Sequence, residues 1–121
     1  MDEIEIAFIG GSGLYKINNL KKINWIRKSS CFGEPSSEVC IGTLNKKKIA
    51  FLPRHGKNHS ISPSKINYKA NIDILKQLNV QNIVSLSAVG SLRKDYNPGD
   101  FVIVDQFIDR TFLREKTFFD S

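Results

Sequence analysis

Residues 49–90 read IAFLPRHGKNHSISPSKINYKANIDILKQLNVQNIVSLSAVG, and the fold turns on this stretch. It opens with Ile49-Ala50-Phe51-Leu52, a short apolar run of the kind that makes a buried strand, and ends at Pro53-Arg54-His55-Gly56. Ser62-Pro63-Ser64 then starts a helix, because proline suits a first helical turn where its missing N–H is not needed. Ile66, Ala70, Ile74 and Leu78 recur at helical spacing with Leu75 beside them, which makes one apolar stripe along a helix over 65–78. Asn79 is a suitable stop, since asparagine tolerates the left-handed conformation that ends helices. Ile83-Val84-Ser85-Leu86-Ser87-Ala88-Val89 is a second apolar strand, followed by Gly90 and Ser91. Strand, helix and strand in succession point to an α/β sheet.

Working outward, Ile4 to Ile9 is short and branched and reads as another buried strand, which breaks on Gly10-Gly11-Ser12-Gly13. Ile23 to Arg27 is a further strand, and Cys31 to Ser37, with Gly33, Pro35 and two serines, is a loop. Glu38 to Gly42 and Lys48 to Pro53 form a hairpin pair with Lys46-Lys47-Lys48 at its tip. Towards the C-terminus, Asn97-Pro98-Gly99-Asp100 is a turn and Phe101 to Asp105 a strand, with Gln106, Asp109 and Arg110 after it. The chain contains no repeat, low-complexity tract or linker. Three strands thus end in Gly-Gly-Ser-Gly, Arg-His-Gly and Ser-Ala-Val-Gly. As parallel neighbours they would bring those ends to one sheet edge, where open α/β folds bind ligands.

The bulk numbers fit a single domain. A chain of 121 residues with 40% hydrophobic and 25% charged residues can bury a real core and is not compositionally disordered. No apolar run approaches the roughly 20 residues that cross a bilayer. The start, Met1-Asp2-Glu3-Ile4-Glu5, lacks the basic-then-apolar pattern of a signal peptide, so a cytoplasmic location is the expectation. Cys31 and Cys40 could face each other across a hairpin, but without an export signal free thiols are expected. No Cys/His cluster has zinc-ligand spacing. The net charge of +6 would suit a nucleic-acid surface if it were contiguous. The lysines are scattered apart from Lys21-Lys22 and the Lys46–Lys48 run, so no nucleic-acid partner is expected.

The three strand ends hold groups that suit a small oxyanion. Ser12 and Ser87 offer hydroxyl donors, Arg54 a planar fork matched to phosphate oxygens, and His55 one or two N–H donors depending on its charge. Backbone amides around Gly11, Ser12 and Ala88 could add more, and no carboxylate lies within the three motifs. Each residue has a plainer role open to it. Ser12 could only cap a turn, Arg54 could pair with an acid such as Asp100, and His55 could be a structural hydrogen-bonder. His59 lies in a Gly-Lys-Asn-rich segment and reads as an exposed loop histidine; pairing with His55 on a metal is not expected.

The same residues resemble the methylthioadenosine phosphorylases, a branch of the purine nucleoside phosphorylases. Gly10-Gly11-Ser12-Gly13-Leu14 is similar to that family's opening motif, and Arg54-His55-Gly56-Lys57-Asn58-His59 to its Arg-His-Gly-x-x-His motif. The segment from Pro63 to Ile72, then Ser87-Ala88-Val89-Gly90-Ser91-Leu92, Pro98-Gly99-Asp100 and Asp105 to Thr111, continue the match in order. The resemblance implies a mixed, twisted sheet flanked by helices, of the nucleoside phosphorylase/hydrolase type, with residues 1–121 forming the N-terminal part of a single domain that is incomplete at its C-terminus. It implies phosphorolysis of S-methyl-5'-thioadenosine to adenine and 5-methylthioribose 1-phosphate, a step of purine and methionine salvage, with inorganic phosphate as co-substrate and no cofactor or metal.

By the same resemblance, phosphate falls to Ser12, Arg54, His55, Ser87 and Ala88, and Ala88 and Val89 border the nucleoside; no catalytic residue is certain in this segment. Homotrimers, sometimes paired into hexamers, are implied as well. The family's chains are much longer, and its base-binding acids lie beyond Ser121, so the resemblance leaves the choice between 6-amino and 6-oxo purines open. A phosphorylase for inosine, guanosine or methylthioinosine is one alternative, and a non-catalytic phosphate- or nucleotide-binding module is another.

Overall fold

The computed structural model describes residues 3–11 and 17–119, so Ser12 falls outside the described residues. The chain divides into two compact units, Met1–Ser87 and Ala88–Ser121.

Among the described residues, the first unit is a five-stranded mixed sheet with one α-helix. Strand β1 spans Ile4–Gly10, β2 Lys21–Ile26, β3 Val39–Leu44, β4 Lys47–Pro53 and β5 Val80–Leu86; helix α1 spans Tyr68–Gln77. The strand order is β2-β3-β4-β1-β5. β1 lies between β4 and β5 and is parallel to both, while β2-β3 and β3-β4 are antiparallel. The strand-helix-strand passage from β4 through α1 to β5 is the one expected from residues 49–90.

Local chemistry explains how these elements begin and end. The β3–β4 hairpin turns on Asn45 and Lys46, whose φ angles of 47° and 66° are both positive. That is the two-residue turn whose twist matches the flanking strands, and asparagine favours it. The expected tip at Lys46–Lys48 is therefore shifted, and Lys47 and Lys48 belong to β4. The helix is also shorter than expected. Pro63–Lys65 forms a separate 3-10 turn, and α1 starts at Tyr68 because the Asn67 side chain accepts a hydrogen bond from Ala70 N at 3.0 Å. Asn79, at φ 58°, ends the helix as expected.

Helix α1 buries the predicted stripe. Ala70, Ile74, Leu75 and Leu78 pack with Ile4, Ala7, Ile9, Val39, Ile41, Ala50 and Leu52 in one core. Ile74 and Leu75 are fully buried, and burying each such side chain contributes about 1.5–3 kcal/mol. Ile66, also buried, adds to the core from just before the helix. Cys31 and Cys40 are both free thiols, the first exposed and the second buried.

In the second unit the expected turn is present: Asp100 N donates to Asn97 O at 3.1 Å, and Gly99 takes a φ of 95°. The expected strand from Phe101 to Asp105 is not. Its residues carry no strand pairing, and Phe101 and Ile103 are 93% and 95% exposed. An apolar run becomes a strand only against a neighbour that satisfies its N–H and C=O groups, and the described residues supply none here.

Candidate phosphate site

The register of the sheet sets the site. Gly10 is paired with Pro53 on one side and with Leu86 on the other, so three parallel strands stop level with one another. The next residues along these strands are Gly11, Arg54 and Ser87. Arg54 N donates to Gly10 O at 3.1 Å, which closes the β4 end against the β1 end.

The Arg54 side chain spans this edge. Its Nη1 donates to Ser87 Oγ at 2.7 Å and to Leu86 O at 3.2 Å. Its Nε donates to His55 Nε2 at 3.2 Å. A β-carbon on Gly11 would stand 3.7 Å from Nη2, so the third strand end also lies beside the guanidinium. These partners are a hydroxyl, a backbone carbonyl and an imidazole nitrogen, and no acid of residues 3–11 or 17–87 is among them. Within the second unit, Asp100 accepts from Asn97 N in its own turn. A guanidinium held by neutral groups keeps its full charge for an incoming anion.

His55 is nearly buried, at 8% exposure. Its Nδ1 lies 2.9 Å from Ile61 O, while Ile61 N donates to His55 O at 3.0 Å. Two further backbone bonds, Gly56 N to Pro53 O and His59 N to Gly56 O, tighten the same loop. Gly56 needs its positive φ of 79° there, and a β-carbon would come within 3.3 Å of Ser36 O. The exposed His59 ring lies against His55, tilted by 36° with 4.5 Å between ring centroids.

Helix α1 holds the segment before β3 in place. Asn71 is buried and bonds Ser36 twice, accepting from its N at 2.8 Å and donating to its Oγ at 2.9 Å. Asn67 Nδ2 donates to Phe32 O at 2.8 Å. The Asn67 and Asn71 side chains thus fix the loop against which Gly56 packs. Sequence reading placed Ser87, Arg54 and His55 but not the carbonyls of Leu86 and Ile61, because backbone acceptors leave no mark on residue type.

Ala88 and Val89 open the second unit and are exposed, Val89 by 85%. A separate open groove of about 890 Å³ lies at the opposite strand ends, lined by Glu3, Glu5, Lys22, Lys46, Lys47 and Lys48. Its charges oppose one another, as in the Lys47–Glu5 pair at 2.6 Å. Outside the site, a hydrogen bond from Lys57 holds the Glu38 carboxyl below its ordinary range, and burial raises the Cys40 thiol.

The family described as Phosphorylase superfamily matches residues 5–121. The chain belongs to the phosphorylase superfamily. Relatives within the superfamily include the S-methyl-5'-thioadenosine phosphorylase of Thermofilum pendens, 52% identical over all of this chain and 46% of its own length. Another is the S-methyl-5'-thioadenosine phosphorylase of Rhodospirillum rubrum, 54% identical over 94% of this chain and 39% of its own. Among solved structures, methylthioadenosine phosphorylase from Schistosoma mansoni in its apo form superposes with a TM-score of 0.83 at 42% identity, covering 93% of this chain and 40% of that one. A methylthioadenosine phosphorylase from an antarctic soil metagenomic library gives 0.71 at 46% identity, covering 78% and 33%. This phosphorylase-superfamily chain spans less than half the length of these relatives.

Proposed function

We propose that the whole protein is a purine nucleoside phosphorylase of the methylthioadenosine type and that this chain supplies its phosphate side. Inorganic phosphate attacks C1′ of S-methyl-5'-thioadenosine, the C1′–N9 bond breaks, and adenine leaves. The other product is 5-methylthioribose 1-phosphate. Positive charge grows on the ribose in the transition state, and the phosphate dianion then acts both as nucleophile and as electrostatic stabiliser. The protein's task is to hold that dianion in line, which needs donors and no protein nucleophile.

The observation that carries this reading is the Arg54 guanidinium lying across three level strand ends with no acidic partner among the described residues of its own unit. Ser12, Arg54, His55, Ser87 and Ala88 make up the proposed phosphate site, and Ala88 and Val89 the adjoining wall of the nucleoside site. The names of the relatives favour methylthioadenosine over other purine nucleosides. The reading includes assembly as a homotrimer or a pair of trimers, a cytoplasmic location, and turnover without cofactor or metal. Among the described residues, no helix is long and apolar enough to cross a membrane.

The test is Arg54→Ala in the whole protein. Losing a charge-assisted contact costs about 1.5–3 kcal/mol, so the phosphate KM should rise by one to two orders of magnitude, roughly, with the nucleoside KM little changed. Equal weakening towards both substrates would assign Arg54 a structural role and sink the reading.

A further inference from the structure

The clearest unassigned feature of the edge is the double engagement of the His55 ring. Ile61 O can only accept a hydrogen bond, so the Nδ1 atom 2.9 Å away must carry the hydrogen. Arg54 Nε–H can only donate, so the His55 Nε2 it meets at 3.2 Å must offer a lone pair. Two partners of fixed character therefore select one state of the ring: neutral, with hydrogen on Nδ1 and none on Nε2. The reciprocal bond from Ile61 N to His55 O and the His59 ring at 4.5 Å hold the imidazole in that pose.

The consequence falls on Arg54. Its guanidinium is planar, so fixing Nε and Nη1 fixes the whole fork. His55 fixes Nε, and Leu86 O with Ser87 Oγ fixes Nη1. Nη2 is then turned to the Gly10–Gly11 strand end, where glycine leaves room beside it. In this arrangement His55 Nε2 has no hydrogen to give to an anion, and a proton placed there would point at the guanidinium N–H.

We propose that His55 is a positioning residue for Arg54: its bare Nε2 sets the rotation of the guanidinium, which contacts the anion, and the imidazole itself does not donate to that anion. This rests on the reading of the edge as a phosphate site.

The test uses the whole protein, with inorganic phosphate as the probe. Asparagine places its amide N–H near the position of Nδ1, so His55→Asn keeps the bond to Ile61 O but loses the acceptor for Arg54. Glutamine places its carbonyl near the position of Nε2, so His55→Gln keeps the acceptor and loses the bond to Ile61. His55→Asn should hold its Tm while weakening phosphate binding about tenfold, and His55→Gln should weaken phosphate binding clearly less than His55→Asn does, at a lowered Tm. In the unmutated protein, nitrogen-15 spectra of the ring should show hydrogen on Nδ1 alone, both without phosphate and at saturation, while phosphate shifts the Arg54 Nε–H resonance.

A hydrogen on Nε2 in the phosphate-bound protein, or wild-type phosphate affinity in His55→Asn, overturns the positioning role and leaves the phosphate site standing. An Arg54 resonance that phosphate does not move, in a protein that binds no phosphate, overturns the site itself and the positioning role with it.

Discussion

Arg54 and Ser87 carry unequal shares of the proposed anion contact. The guanidinium brings charge, whereas the Ser87 hydroxyl brings one neutral group that also braces Nη1 at 2.7 Å. A neutral hydrogen bond contributes about 0.5–1.5 kcal/mol, so Ser87→Ala should raise the phosphate KM by roughly two- to twelvefold, less than Arg54→Ala. Steady-state kinetics with phosphate varied at saturating nucleoside measures both. A Ser87→Ala effect as large as that of Arg54→Ala would mean that the hydroxyl, not the guanidinium, dominates. Both residues were legible in the sequence because each follows an apolar strand directly and their chemistry suits an oxyanion. The tautomer of His55 was not, since it is set by Ile61 O and by the rotamer of its neighbour Arg54, neither of which residue type reveals.

At the scale of elements, the sequence showed where strands and the helix lie but not how they are terminated. Hydrophobic spacing located α1, yet it could not show that Asn67 would cap at Ala70 N and cut the helix back to Tyr68. Nor could it show that Asn71, in the middle of that helix, faces inward to bind Ser36. A polar residue inside an amphipathic stripe is ambiguous until its partner is known, and Ser36 is 35 positions away. Asn71→Leu keeps the volume but leaves the Ser36 N–H and Oγ without their partner. Such a loss in a buried setting costs about 1–3 kcal/mol, so the variant should melt at a lower Tm, as read by circular dichroism. Because Ser36 lies under Gly56, the phosphate KM should rise with it. An unchanged Tm would show that the pair does not hold the loop.

On the scale of the whole molecule, the central strands and their level ends could be read from sequence because parallel strands in an α/β sheet stop at a common edge. The second unit could not. Phe101 to Asp105 has the composition of a strand, but pairing is a property of what lies beside a segment and not of the segment itself. Apolar side chains stay exposed there, with Phe107, Ile108 and Phe112 at 77%, 87% and 84%. On β5, at the sheet edge, Ile83 and Val84 are 41% and 37% exposed. Exposed apolar surface and an unpaired edge both favour association. Residues 1–121 expressed by themselves should therefore bind a hydrophobic dye, self-associate in sedimentation, and release no adenine from methylthioadenosine. A monomer with a cooperative melt and no dye binding would contradict that expectation.

In the proposed reaction the Arg54 edge holds phosphate as a nucleophile. Its most direct measurement is the whole protein's turnover of S-methyl-5'-thioadenosine with and without inorganic phosphate, following adenine and the sugar product together. Adenine should appear only when phosphate is present, matched mole for mole by 5-methylthioribose 1-phosphate. Adenine released at the same rate without phosphate, with free methylthioribose as the sugar product, would contradict it.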